Sequence, residues 1–293
     1  MRTEVASLRF EALGGECELY AVAPAEPLEE TAMWIRGLHR RLTRFEPESE
    51  LSRFNDRAGD WVEVSPELEA LLRAALDAFE TSEGLVHAGI LPALLDAGYD
   101  RSFGDMYVFR HQLDDIRHRS DDRTHAASRD TSLAGASPEP PEPLPALLQV
   151  RSGSAKLEPG AAIDLGGLAK GWIADRAVER LGPHSLANCA GDLRALGGGP
   201  SGEGWPVAFG GQTLLLDDHG AATSGTTKRR WGDGKHHLID PRTGAPSTSD
   251  LSEVSVLART ALDAEIMAKS AILLGSAQAP SGLEGRALGW ALA

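Results

Sequence analysis

The sequence predicts an α+β fold, with mixed, largely antiparallel sheets and flanking helices. Two observations carry this reading. Short apolar segments separated by glycine-rich turns recur along the chain, which is the pattern of hairpin strands. Only a few longer segments place apolar residues at helical spacing, and they do not alternate with strands as a doubly wound sheet requires.

The elements follow in order. Leu8 to Val22 reads as two strands around Gly14-Gly15, because apolar alternation flanks a glycine pair. Pro27 to Leu42 carries Leu28, Ala32, Ile35, Leu38 and Leu42 at helical spacing, and Pro27 suits a first turn. A second helix is predicted over Pro66 to Glu80, capped by Ser65, with Leu68, Leu71, Leu72, Leu76 and Phe79 on one face. Strand-like Leu147 to Val150 and Ala155 to Leu157 lead to Ile163-Asp164-Leu165-Gly166-Gly167 and then to a helix from Ala169 to Leu181. Short strands are predicted at Leu186 to Ala190, Trp205 to Phe209, Thr213 to Leu215, His237 to Ile239 and Glu253 to Leu257. A last helix, Leu262 to Leu274, stops at Gly275.

Residues 1–110 and 146–293 read as two parts of one domain. Between them, 111–145 is rich in Asp, Arg, His and Ser and contains the Pro/Glu run Pro138 to Pro143. Such a stretch buries little apolar area to offset its ordering entropy, so a mobile insert is expected. Its histidines His111, His118 and His125 lack metal-site spacing and are expected to be solvated.

Composition excludes some classes. With 29 Lys+Arg against 43 Asp+Glu, the formal charge of −14 argues against a general nucleic-acid or membrane-surface binder, since both need a positive field. Arg2, Glu4, Arg9 and Glu11 break up the start, so no signal-peptide core is visible there. No apolar run approaches the ~20 residues of a membrane span. A cytoplasmic protein without membrane insertion is expected. Cys17 and Cys189 make no metal or redox spacing and read as reduced structural thiols.

The strongest local constellation is Asp164-Leu165-Gly166-Gly167-Leu168-Ala169-Lys170-Gly171. A strand ends in an acid, glycines make a bare turn, and a lysine opens a helix. Bare amides, a helix N-terminus and a lysine suit a phosphate or pyrophosphate. The P-loop and the dinucleotide fingerprint are both absent. A tight strand-to-helix turn with a capping Asp is the plainer alternative.

Four stretches in the same order give that turn a context. They are Phe45-Glu46-Pro47-Glu48-Ser49-Glu50-Leu51-Ser52-Arg53-Phe54-Asn55, then Asp164 to Gly171. Next come Thr223-Ser224-Gly225 with His236-His237-Leu238-Ile239-Asp240-Pro241-Arg242-Thr243-Gly244, and last Ala264-Glu265-Ile266-Met267-Ala268-Lys269 running to Leu274-Gly275. Together they resemble the FAD:protein FMN transferase family, also called the ApbE family, over nearly the whole chain except the charged insert. The resemblance implies an α+β enzyme that binds FAD, splits its pyrophosphate and attaches FMN to a threonine or serine hydroxyl of a flavin-acceptor protein, with AMP leaving. It also implies a divalent metal, commonly Mg2+, against the pyrophosphate.

By position, the resemblance makes Asp164 an FAD-contacting acid and Lys170 a phosphate-side lysine three residues past metal-facing Gly167. Phe45 stands where an aromatic residue meets the flavin, with an ordinary core aromatic as the alternative. His237 and Ile239 lie in the stretch that lines the nucleotide site, and His237 is a catalytic candidate; a paired strand histidine is the alternative. Asp192, after a tight turn, reads as structural.

Two departures stand out. The family places Asp and Thr four apart on the last helix as metal ligands, with a backbone carbonyl between them. Here those positions are Glu265, Ala268 and Lys269. Glu265 can ligate a hard cation, whereas a protonated lysine cannot. Lys269 either stands where the metal would, or pairs with Glu265 as a simple i,i+4 salt bridge. The second departure is His87-Ala88-Gly89 where the family has Asp-Pro-Thr, which makes His87 a candidate FAD contact. Two other readings stay open: a flavin-binding carrier or regulator that has lost transfer, and an FAD pyrophosphatase yielding FMN and AMP.

Overall fold

The computed structural model describes residues 4–22, 26–102, 139–227, 229–231 and 235–293. Most of the expected insert, with its three histidines, lies outside the described residues. The chain opens with the hairpin β1 (Val5–Ala12) and β2 (Gly15–Val22). Leu13 and Gly14 both have positive φ, the turn geometry whose twist matches a two-residue hairpin. The turn therefore falls one residue earlier than the glycine pair suggests, and Gly15 opens β2.

Helices α1 (Glu26–Leu42), α2 (Glu50–Asp56) and α3 (Pro66–Thr81) follow, with the short strand β3 (Val62–Glu63) before α3. The Ser65 side chain accepts from Leu68 N, so the predicted cap is present. Ser49 caps α2 in the same way. A short α4 (Leu91–Asp96) precedes the undescribed stretch. The described chain resumes at 139. Leu144, in α5 (Leu144–Leu147), is fully buried in the main core, so ordered packing begins inside the segment expected to be mobile. Strands β4 (Leu148–Arg151) and β5 (Ser154–Leu157) pair with each other and with β3.

The second half builds the main sheet. Helix α6 (Ala169–Leu181) leads to β6 (Ser185–Cys189), β7 (Asp192–Leu196), the hairpin β8 (Trp205–Phe209) and β9 (Gln212–Leu216), and β10 (Gly220–Gly225). Two-residue ladders β11 (Arg230–Trp231) with β12 (Lys235–His236) and β13 (Ile239–Asp240) with β14 (Ala245–Pro246) come next. The chain ends with β15 (Glu253–Ala258), α7 (Ala261–Leu274), α8 (Ala279–Leu283) and β16 (Gly289–Leu292). The main sheet has seven strands in the order β1-β2-β6-β7-β10-β15-β16, and its neighbours pair antiparallel. The α+β reading holds.

Strand alternation sends Leu19, Cys17, Ala187 and Cys189 into the core that α1, α3 and α6 complete. On the other face, Leu186 and Ala195 pack with Trp205, Val207 and Leu216 of the β8–β9 hairpin. Strand β10 has only small residues and packs closely on α7: a Cβ at Gly220 would stand 2.2 Å from Ala261 N. Helices α6 and α7 also meet backbone to backbone, since a Cβ at Gly171 would lie 2.6 Å from Ala261 O. Asp175 locks this crossing, accepting from Ala261 N at 2.8 Å and Leu262 N at 3.1 Å. Among the described residues, no helix is long and apolar enough to cross a membrane.

Candidate active site

The β1–β2 and β6–β7 turns, the end of β10 and the start of β15 all lie at one end of the sheet. Together with the start of α6, they line a pocket of about 1020 Å³. That volume lies at the upper end of the range for small-molecule sites. The predicted residues Phe45, His87, Asp164, Gly167, Lys170, His237, Ile239, Glu265 and Lys269 all line it. Ala268 does not: it is fully buried in the apolar core beneath α7.

Asp164 organises the turn. Its N–H donates to Ala88 O at 2.8 Å, and its Oδ1 accepts from Gly166 N at 2.8 Å. Its Oδ2 accepts from Arg44 Nε at 2.8 Å, and Arg44 Nη2 donates to Tyr99 O at 2.7 Å. The guanidinium lies 4.2 Å from the Phe45 ring centre and 4.7 Å from that of Tyr99, within cation–π range. Tyr99 stacks in turn on Trp231. Phe45 is thus both a packed aromatic and a pocket residue. Ile239 is buried in the same cluster and contributes to the pocket wall.

A second cluster gathers four charges. Lys170 Nζ hydrogen-bonds Asp192 Oδ2 and lies 3.1 Å from Glu265 Oε1. The latter contact is an ion pair without hydrogen-bond alignment, because Glu265 Oε1 has no hydrogen-bond partner. Glu265 Oε2 accepts from Gly171 N at 2.9 Å. Lys269 Nζ donates to Gly167 O at 2.6 Å. Burial works against the Lys170 ammonium, but the two carboxylates outweigh it and hold its pKa above the usual lysine range. Burial pushes the Asp192 carboxyl up to about 7. Glu265 is held low despite burial, because both lysines and the Gly171 amide favour its charged form. The i,i+4 bridge between Glu265 and Lys269, one of the two alternatives for Lys269, is not made; Glu265 turns to Lys170 instead.

Backbone groups hold the His87 ring at the pocket wall. Its Nδ1 accepts from Gly89 N at 3.0 Å, which leaves Nε2 to donate to Glu142 O at 3.0 Å. Both ring nitrogens are therefore held by backbone, and burial lowers the ring's pKa. His237 differs. Its Nδ1 is inaccessible and has no hydrogen-bond partner. Burial, with Arg229, Lys269 and His236 as positive neighbours, brings its pKa down to about 3.

Sequence reasoning missed Arg44 and Arg229. Arg229 lines the pocket, and a Cβ at Gly14 would meet its Nη2 at 3.0 Å. Arg44 directly precedes the Phe45 stretch, so its place beside that stretch was the available signal. Arg229 carried none, being one of two adjacent arginines in a short, irregular segment.

The ApbE family model matches residues 11–290. The chain belongs to the ApbE family. A Treponema pallidum protein named FAD:protein FMN transferase is 28% identical over 280 residues, covering 85% of this chain and 71% of the relative. A Klebsiella pneumoniae protein of the same name is 36% identical over 119 residues, which span 37% of this chain and 38% of the relative. Among solved structures, the Pseudomonas stutzeri flavinyl transferase ApbE matches with a TM-score of 0.74 at 20% identity, covering 97% of this chain and 90% of that one. The Thermotoga maritima ApbE protein gives 0.75 at 21%, covering 96% and 90%. These ApbE structures share the fold described above.

Proposed function

We propose that this ApbE-family chain cleaves FAD and transfers its FMN part to a threonine or serine hydroxyl of an acceptor protein. The observation that carries the reading is His237 Nδ1, an unpartnered imidazole nitrogen in the same pocket as the bare Gly166-Gly167 turn at the start of α6. The turn and helix start suit the pyrophosphate, and Phe45, only partly buried at the pocket wall, offers an aromatic contact for a ring system.

The chemistry is a phosphoryl transfer. The acceptor hydroxyl oxygen forms a bond to the riboflavin-side phosphorus, the P–O bond to the AMP phosphate breaks, and AMP leaves with the bridging oxygen. Neutral His237 takes the hydroxyl proton at Nδ1, which is buried in the free protein and has to open to the acceptor for this step. The low pKa of His237 belongs to the ligand-free pocket; a diphosphate beside Arg229 and Lys269 offsets their charge and makes the ring more basic.

Mg2+, which the family resemblance implies, does not fit the residues present. A hard cation needs open oxygen ligands. The Gly167 carbonyl is already occupied by Lys269, Glu265 Oε2 accepts from Gly171, and Glu265 Oε1, though without a hydrogen-bond partner, lies 3.1 Å from the Lys170 ammonium, a poor neighbour for a further cation. Among the described residues, no group of three His, Cys, Asp or Glu side chains is arranged to hold a metal. No step is therefore routed through one.

The test is incubation with FAD and a candidate acceptor, read by in-gel flavin fluorescence and AMP release. Labelled acceptor with equimolar AMP supports transfer. AMP without label means that water takes the phosphoryl group, and FAD retained intact would sink the transferase reading.

A further inference from the structure

Two cations in the pocket lack a carboxylate partner, although the protein carries a formal charge of −14. Lys170 is matched by Asp192 and Glu265. Lys269 makes no ion pair among the described residues, and its one hydrogen bond goes to the neutral Gly167 carbonyl. Arg229 likewise makes no ion pair among the described residues. An ammonium has three donors, so two of those on Lys269 remain for a ligand. Burial works against the Lys269 ammonium, and Glu265, Asp192 and Asp164 support it only through space, without a direct ion pair; an anionic ligand group in contact with it offsets the remaining cost.

The backbone is shaped for this side chain. A Cβ at Gly167 would stand 2.3 Å from Lys269 Nζ, so the bare turn is what admits the ammonium. The same turn opens α6, a helix of 13 residues; Gly166 to Lys170 line the pocket, although Ala169 N donates to Leu165 O and Gly171 N to Glu265. A second cation at this point would have to displace Lys269 from its carbonyl and then sit against Lys170, with Glu265 already engaged.

We infer that Lys269 is the resident counter-charge of a diphosphate subsite, doing by side chain what a divalent metal would do. The inference rests on the FAD reading for the identity of its ligand, but the subsite itself is defined by Lys269, Gly167 and the start of α6. It takes a pyrophosphate group without any metal ion.

Binding of FAD and of inorganic pyrophosphate is measured by calorimetry on the full chain, in excess EDTA and in Mg2+. Wild type should bind both ligands equally in the two buffers. Lys269→Met should weaken both in EDTA by about 10- to 100-fold, the scale of a lost charge-assisted hydrogen bond, while Lys269→Arg retains most of the affinity. Pyrophosphate binding in EDTA that is lost in Lys269→Met, without FAD binding, would uphold the subsite and overturn the FAD reading. Binding of both ligands by wild type only with Mg2+ would overturn the inference and leave the FAD reading intact. That arm needs no variant, so it decides the matter even if Lys269→Met fails to fold.

Discussion

Asn55 clasps the backbone of Ile163 from 108 residues away, donating from Nδ2 to the carbonyl and accepting at Oδ1 from the N–H, both at 3.0 Å. One amide side chain thus replaces a strand partner for the residue just before Asp164. Ile163 is fully buried, so no water can substitute. Asn55→Ala should cost about 2 kcal/mol or more, because two buried backbone groups lose their partners. It should also weaken FAD binding by loosening the Asp164 turn. Urea denaturation checks the first effect; a loss below about 0.5 kcal/mol would show that the clasp is not what holds the turn.

His237 gives a pH signature. With a folded-state pKa near 3, the ring is neutral in the free protein through the range where an ordinary histidine titrates. The pH profile of kcat/KM, which reports free protein, should show no His237 inflection near 6.5. That of kcat should show one at higher pH than the free form, because the bound diphosphate offsets the positive neighbours. Stability follows the same shift. It is complete above the unfolded value of 6.5 and falls as pH drops toward 3, since only the unfolded chain takes up the proton. His237→Gln should remove that slope from thermal melts; an unchanged slope would place its origin elsewhere.

Lys170 is the counter-charge of two buried carboxylates. Lys170→Met should therefore cost about 3–5 kcal/mol, the range for removing one partner of a buried ion pair. Adding Asp192→Asn should recover part of it. In wild type, Asp192 has its carboxyl raised from 3.8 to about 7, so its contribution to stability is present at low pH and declines as pH rises through 7. Chemical denaturation of the double-mutant cycle measures the coupling; strictly additive losses would show that the two side chains act independently.

Cys17 and Cys189 stand directly opposite each other on β2 and β6, and both thiols are fully buried. They agree with the reading of reduced structural cysteines, because they are free in this structure. The neighbouring Cys17 thiol and burial push the Cys189 pKa well up, which suppresses its thiolate. The folded protein should be inert to a thiol-specific reagent such as DTNB and should react only on unfolding. Rapid labelling of native protein would contradict the packing.

Helices with one apolar face were legible in the sequence, and so were the glycine-flanked hairpins. Pro66 to Thr81 shows its cap at Ser65 and its stripe of leucines without any tertiary information. Strand β10 was not legible, because Gly220-Ala221-Ala222-Thr223-Ser224-Gly225 has none of the branched or aromatic residues that mark a strand. Its place in the sheet comes from the close approach of α7. In the site, the Asp164 turn was readable as local chemistry. The partners of Lys170 were not, since Asp192 and Glu265 lie 22 and 95 residues further on and only the crossing of α6 and α7 joins them. For the same reason the sequence left the direction of Lys269 open.

That crossing turns on Gly171, whose missing side chain lets α6 lie against the Ala261 carbonyl. Position 171 therefore works as a gauge. A larger residue there would meet the Ala261 carbonyl and push the two helices apart, taking the Glu265 carboxylate away from the Gly171 amide and the reach of Lys170. Such a variant has to neutralise its acid by other means. The identity of one residue inside a helix thus sets the charge balance that this pocket can hold.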